Sequence, residues 1–211
     1  MHSTDTVIRT TTALGAILML GLLILGDARA AAVDDMAAKC AECHGKDGLS
    51  SEPTVPIIAG YSDFYIIDTM GLYKDDARPC PETEFKDGPD KGKKTDMCKI
   101  AKDLSDDDVE ALATYYAGKP FVPAKQDFDA DKAALGEEVH ERHCKKCHED
   151  GGSSPEDDAG ILAGQWKPYL EHTFKTFASG EREMPKKMKP KFEKLDQSEI
   201  EALINYYVSQ Q

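Results

Sequence analysis

Two short clusters in this 211-residue chain have residue types and spacing that can do chemistry. Cys40-Ala41-Glu42-Cys43-His44 and Cys144-Lys145-Lys146-Cys147-His148 each set two thiols three positions apart, with a histidine directly after. Cys-x-x-Cys-His is the attachment signature of c-type haem. On a helical turn the two thiols can reach the two vinyl groups of one porphyrin and form thioethers, and the adjacent imidazole can meet the iron. Other uses of a Cys-x-x-Cys pair ask for other surroundings. A thioredoxin-like redox pair needs a βαβ context, which the sequence pattern does not provide. Two pairs could make one four-cysteine zinc site, but each pair carries its own histidine. Each also stands in a repeat long enough to wrap one porphyrin.

A haem iron takes two axial ligands, and His44 and His148 supply one each. Methionine as the sixth ligand raises the potential. The repeat register nominates Met97, seven residues before Leu104, and Met188, seven before Leu195. Met184 is the rival to Met188, and Met70 is a weaker rival in the first copy because its register partner is Phe174. The plain alternative for any methionine is core filler, yet Met188 lies in a polar stretch rich in Pro and Lys. His140 and His143, three positions apart on the helix leading into Cys144, read as part of a solvated face. His172 stands where the first copy has Asp68, so it is not part of a shared design.

Four of the six cysteines serve attachment, which leaves Cys80 and Cys98. In an oxidising compartment an even leftover pair reads as a disulfide. It would close a loop of 17 intervening residues, worth about 3 kcal/mol by loop entropy, and would pin that loop beside Met97. A redox-active or sulfur-accepting thiol is the alternative.

The elements that position these groups come in two copies. Ile57-Ile58-Ala59-Gly60 recurs as Ile161-Leu162-Ala163-Gly164, at the same offset of 104 as the cysteine motifs. Leu104 to Tyr116 matches Leu195 to Tyr207 at an offset of 91, so the first copy carries 13 extra residues. They fall within 74–96, a stretch of Pro, Gly and charge with loop composition. Each copy should open with a helix running into its cysteine motif, in the second copy from Asp131 to Cys147. A second helix should begin near Tyr61 or Lys167. The last should be capped by Ser105 or Asp196. Val109, Leu112, Ala113 and Tyr116 follow the helical period, as do Ile200, Leu203, Ile204 and Tyr207. The expected class is all-α: a first domain over 31–118, a linker over 119–129 stiffened by two prolines, and a second domain over 130–211.

The run Ala13 to Leu25 is apolar but too short to span a bilayer. Arg9 before it and Ala28-Arg29-Ala30 after it make it a secretory signal with cleavage near Ala30, hence export to the periplasm and no span in the mature chain. The chain has 39 acidic against 26 basic residues, a formal charge of −13. That makes nucleic acid a poor partner and a basic protein face a better one. No G-x-G-x-x-G fingerprint between strand and helix marks a flavin site.

The tandem pattern resembles dihaem cytochromes of the cytochrome c4 type across the whole mature chain. The second half is more specific. Pro123 to Asp129, His143 to Gly152, Ile161 to Leu170, Met184-Pro185-Lys186-Lys187-Met188 and the end from Tyr207 resemble the cytochrome subunit of flavocytochrome c sulfide dehydrogenase. The resemblance implies two class I-like cytochrome c domains, two covalent haem c groups, and His/Met ligation by His44 with Met97 and His148 with Met188. It further implies a periplasmic heterodimer. A separate FAD-containing flavoprotein subunit would oxidise sulfide, and this chain, not itself catalytic, would pass the electrons to a small carrier such as a cytochrome c. A freestanding shuttle serving a terminal oxidase is the alternative. The 13-residue insertion and the Cys80/Cys98 pair depart from the usual pattern.

Overall fold

The computed structural model describes residues 31–156 and 159–211; the signal segment expected over 1–30 lies outside them. Helix α1 covers 31–44, followed by a 3-10 turn at Lys46–Gly48. Then come α2 (Asp63–Lys74), a two-stranded antiparallel ladder of β1 (Thr83–Glu84) and β2 (Lys94–Thr95), α3 (Met97–Lys102) and α4 (Asp106–Ala117). The second copy repeats the plan with α5 (Ala130–His143), a 3-10 turn at Asp150–Gly152, α6 (Lys167–Ser179), α7 (Lys189–Phe192) and α8 (Gln197–Ser209).

The helix starts follow from their caps. The Ser105 hydroxyl accepts from the Asp108 amide while the Asp108 carboxylate accepts from the Ser105 amide, a reciprocal capping box. Asp196 and Glu199 form the same box on α8. Ser62 caps α2 and Asp129 caps α5. The capping side chains satisfy amides that have no partner within their helices.

Each copy buries the apolar stripe read from its last helix: Val109, Leu112, Ala113 and Tyr116 in one, Ile200, Leu203, Ile204 and Tyr207 in the other. The second copy's core is the larger. Val139, Leu170, Phe174, Phe177 and Phe192 close around α8 there, whereas Ala37, Leu112 and Tyr116 form the buried centre of the first.

The connection between the copies lies folded against both. The Ala124 amide donates to the Gly164 carbonyl (2.8 Å), and the Gln126 side chain spans the Gln165 carbonyl and the Lys167 amide. Gln165, fully buried, accepts from the Ile57 amide (3.1 Å) and donates to the Tyr61 hydroxyl (2.8 Å), and the Trp166 indole N–H donates to the Ser50 carbonyl (2.9 Å). Ile57, Ala59 and Ala124 form a small apolar cluster beneath these bonds.

Three local expectations need correction. The insertion is not wholly loop, since β1 and β2 pair within it, Thr83 opposite Thr95. Helix α5 stops at His143 rather than running through Cys147. His140 is not on a solvated face but fully buried, its Nδ1 3.1 Å from the Tyr207 hydroxyl and its ring tilted against Tyr206. The stripe that faces α8 includes position 140 because Gly136, one turn earlier, lets the two helices meet closely.

Candidate functional site

In the first copy all of Cys40 to His44 is helical. The helix end is held from outside. The amides of Lys86 and Asp87, on the turn between β1 and β2, donate to the Glu42 carbonyl at 2.9 and 3.0 Å. They satisfy an end-of-helix carbonyl that otherwise lacks a partner. The same turn covers the Glu42 side chain at Gly88, leaving Glu42 Oε2 buried without a hydrogen bond. In the second copy Cys144 to Cys147 form turns after the helix, with the Cys147 and His148 amides both donating to the Cys144 carbonyl.

His44 is buried, and its Nδ1 lies 3.0 Å from the Pro56 carbonyl. A carbonyl can only accept, so Nδ1 carries the proton and Nε2 is left with its lone pair. Burial lowers the imidazole pKa, the Pro56 bond opposing it only in part, so the ring is neutral. A neutral imidazole whose far nitrogen is fixed by a backbone carbonyl is the arrangement of a metal-ligating histidine. The thiols fit the same reading. Burial raises the Cys40, Cys43 and Cys144 pKa values. A redox-active pair of the thioredoxin kind instead needs a depressed thiol. Free thiols on one turn beside a neutral imidazole are what a covalently attached porphyrin requires.

Met97 is the first residue of α3 and half-buried. The next residue, Cys98, is joined by a disulfide to Cys80 with Cα atoms 5.8 Å apart, so the segment carrying Met97 is covalently tied to the insertion. Met188 stands at the N-terminal boundary of α7, and Met184 lies one turn before it; both pack on the second core. Met184 also lines an open groove with Phe177, Arg182, Phe192 and Leu195.

The sequence reading missed Arg78, which is buried and donates to the Tyr169 hydroxyl of the other copy (3.1 Å). The signal was available, since Arg78 and Arg182 share the offset of 104. It also missed Phe64 and Ile67, exposed at 58% and 40% on α2, where the second copy has Pro168 and Glu171. Among the described residues no helix is long and apolar enough to cross a membrane.

Comparison with known proteins agrees with this two-copy geometry. Residues 30–117 match the cytochrome c family, and residues 131–206 match cytochrome c oxidase, cbb3-type, subunit III. Cytochrome c4 of Azotobacter vinelandii is 30% identical over 179 residues, covering 79% of this chain and 81% of that one. A thiosulfate dehydrogenase electron acceptor of Thiomonas intermedia is 31% identical over 163 residues, covering 72% of this chain and 68% of that one. The crystal structure of reduced recombinant cytochrome c4 from Pseudomonas stutzeri superposes with a TM-score of 0.68 at 26% identity, covering 85% of this chain and 97% of that one. Two tandem cytochrome c domains, each with one covalently bound haem c, place the chain in the cytochrome c4 family of dihaem electron-transfer proteins.

Proposed function

We propose that this chain is the periplasmic electron-accepting subunit of a dehydrogenase that oxidises an inorganic sulfur compound. Its donor would be the FAD of a sulfide-oxidising flavoprotein subunit, and its acceptor a small carrier such as a cytochrome c. In this reading Cys40 and Cys43 attach one haem and Cys144 and Cys147 the other. His44 with Met97 and His148 with Met188 are the axial ligands, Met184 being the rival to Met188. The domains are 31–118 and 130–211, joined by 119–129.

One observation carries the subunit reading, the asymmetry of the two copies. Among the described residues the first alone has a disulfide-closed hairpin on its attachment helix, and it exposes Phe64 and Ile67 on α2 at positions where the second copy has Pro168 and Glu171. Exposed apolar groups beside a redox site mark a place where a partner sits. The second copy supplies the exit, and an acidic chain suits a basic carrier.

When bound, each haem would supply a one-electron couple, its iron held by the histidine and methionine named above. The chain's own residues hold the geometry. His44 presents a neutral Nε2 because Pro56 fixes its other nitrogen. Gln165, Trp166 and Tyr61 clamp the two copies together, so the spacing between their redox centres is set by buried hydrogen bonds rather than by a free linker. No residue of the chain has to make or break a bond.

A second reading has its own support in the likeness to the Thiomonas acceptor, whose donor is a thiosulfate dehydrogenase. Purifying the untagged native protein and adding each substrate separates the two. A flavin-containing chain that co-elutes, with haems reduced by sulfide, supports the flavoprotein partner. Reduction by thiosulfate through a co-eluting dehydrogenase supports the second reading. A chain that elutes alone and answers to neither is a freestanding shuttle.

A further inference from the structure

The segment that carries Met97 is anchored differently from its counterpart. At an offset of 91, Met97 stands opposite Met188 and Ala101 opposite Phe192. In the second copy the Phe192 ring is buried against Phe174 and Phe177, with centroids 5.8 and 6.3 Å away, and it ties α7 to the core. The residues of the first copy in register with those two rings are Met70 and Tyr73, both only half-buried. Helix α3 has six residues and buries Cys98 and Ala101. The Ala101 methyl removes far less apolar surface from water than a phenyl ring does. Ahead of α3, the β1–β2 ladder is two residue pairs long, and so short a hairpin is not stable by itself. Cys80 lies three residues before Thr83 and Cys98 three after Thr95, so the disulfide closes the open end of the ladder.

The two sulfurs are not equally enclosed. Cys98 is 8% exposed, whereas Cys80 is half-buried, so a small nucleophile meets Cys80 first. The fold also accommodates the reduced pair. The Arg78 carbonyl lies 3.3 Å from Cys80 Sγ and 3.8 Å from Cys98 Sγ. Its two lone pairs suffice to accept from both thiols. The Asp96 carboxylate, kept ionised by Lys99, is within 4.8 Å of both sulfurs. A negative charge that close holds freed cysteines as neutral thiols.

We propose that the Cys80–Cys98 bond is a thiol-exchange site, and that opening it releases Met97 from the first haem's iron. This inference rests on Met97 being the axial ligand, as proposed above, and is independent of which dehydrogenase supplies the electrons. The reactant is a small thiolate. One thiolate bonds to Cys80 Sγ as the S–S bond breaks, and Cys98 leaves with the electron pair and takes up a proton. A second thiolate attacks the mixed disulfide, frees Cys80 as the second thiol and departs joined to the first. The cysteine pair gains two electrons, the two thiolates lose two, and two protons are consumed; no iron enters the balance. Helix α3 is then held by Ala101 and a two-pair ladder, and Met97 disengages. The first haem gains a position open to small ligands and loses a ligand that raises its potential. The second copy, whose methionine segment is fixed by Phe192, does not respond.

The test is carbon monoxide binding to the ferrous, haem-loaded protein, since carbon monoxide needs an open iron position. The untreated protein should bind none. Treatment with 2-mercaptoethanol in the absence of denaturant, then with iodoacetamide, should label Cys80 and Cys98 and yield one bound carbon monoxide per chain. The C80S/C98S variant should bind the same amount untreated, and its ferric form should lose half of the Met-to-iron absorption band. M97A and M188A give the reference spectra for each haem opened alone, and the signal must match that of M97A. A protein labelled at both cysteines that still binds no carbon monoxide would overturn the proposal. So would cysteines that stay unlabelled in the folded protein. If C80S/C98S does not accumulate loaded, the labelled wild-type protein decides. An M97A variant that binds no carbon monoxide while M188A does would fault the ligand assignment, and the release of Met97 would fall for that separate reason.

Discussion

The two copies share one plan and stabilise it differently. In the second, α8 buries Ile200 and the whole run from Ala202 to Val208. Helix α5 crosses it so closely that a Cβ on Gly136 would collide with the Ala202 carbonyl and with Tyr206. The equivalent position in the first copy is Ala32, and α4 buries only Val109, Leu112, Ala113 and Tyr116. What the first copy lacks in helix crossing it draws from additions. The hairpin satisfies the Glu42 carbonyl, the disulfide pins the segment before α3, and the boundary hydrogen bonds tie its Ile57 to Gln165. One domain holds its attachment turn by its own core, and the other by a local staple and its neighbour. This explains why Cys40 to His44 stay helical while Cys144 to Cys147 do not. The helix continues where outside donors reach its last carbonyls.

The contrast can be broken from either side. Replacing Cys80 and Cys98 together by serine should cost the first domain about 3 kcal/mol and leave the second unchanged. Denaturant unfolding of the haem-loaded protein, read at each haem's absorption, checks this. Equal losses at both haems would mean the staple does not belong to one domain. The reverse experiment is Gly136→Ala. Overpacking against Ala202 and Tyr206 should cost about 1–3 kcal/mol, offset by about 1 kcal/mol of helix propensity. The net loss should fall on the second domain alone. A stabilised Gly136→Ala protein would show that α5 and α8 can separate without cost, and the distinction drawn here would fail.

Much of this was legible in the sequence because it was written twice. The repeat located the cysteine motifs, the caps at Ser105 and Asp196, and the stripes on α4 and α8, all of which are local signals of spacing and residue type. The parts that were not legible depend on contacts distant in the chain. Lys94 and Thr95 look like loop until Thr83 and Glu84 lie beside them. Arg78 reads as one charge in a polar stretch until Tyr169, 91 residues away, accepts its hydrogen bond. Met97 and Met188 stand on register alone, since what selects them is an iron rather than another residue.

His140 gives the smallest and most specific way to sharpen the comparison. Its register partner is Met36, an apolar residue at the edge of the first core. His140 is enclosed by Tyr206 and Tyr207, with Nε2 buried and unpartnered. Burial lowers its pKa, the charge of Lys145 adds to this, and the carboxylates of Glu141 and Glu137 do not reverse it. The folded protein therefore binds this proton less readily than the unfolded chain, and stability must rise with pH over the interval between the two pKa values. That contribution is fully present above the unfolded value of about 6.5 and is lost as pH falls toward the folded value, by at most about 1.4 kcal/mol per pH unit. His44 is buried and neutral too, but ligation to iron, as proposed above, takes it out of this titration. The acid sensitivity from buried histidine should then belong to the second domain. Its denaturation midpoint should fall between about pH 7 and about pH 5, and His140→Met should flatten that fall while leaving the first domain's curve in place. An unchanged slope in His140→Met would assign the acid sensitivity to other groups and remove this difference between the copies.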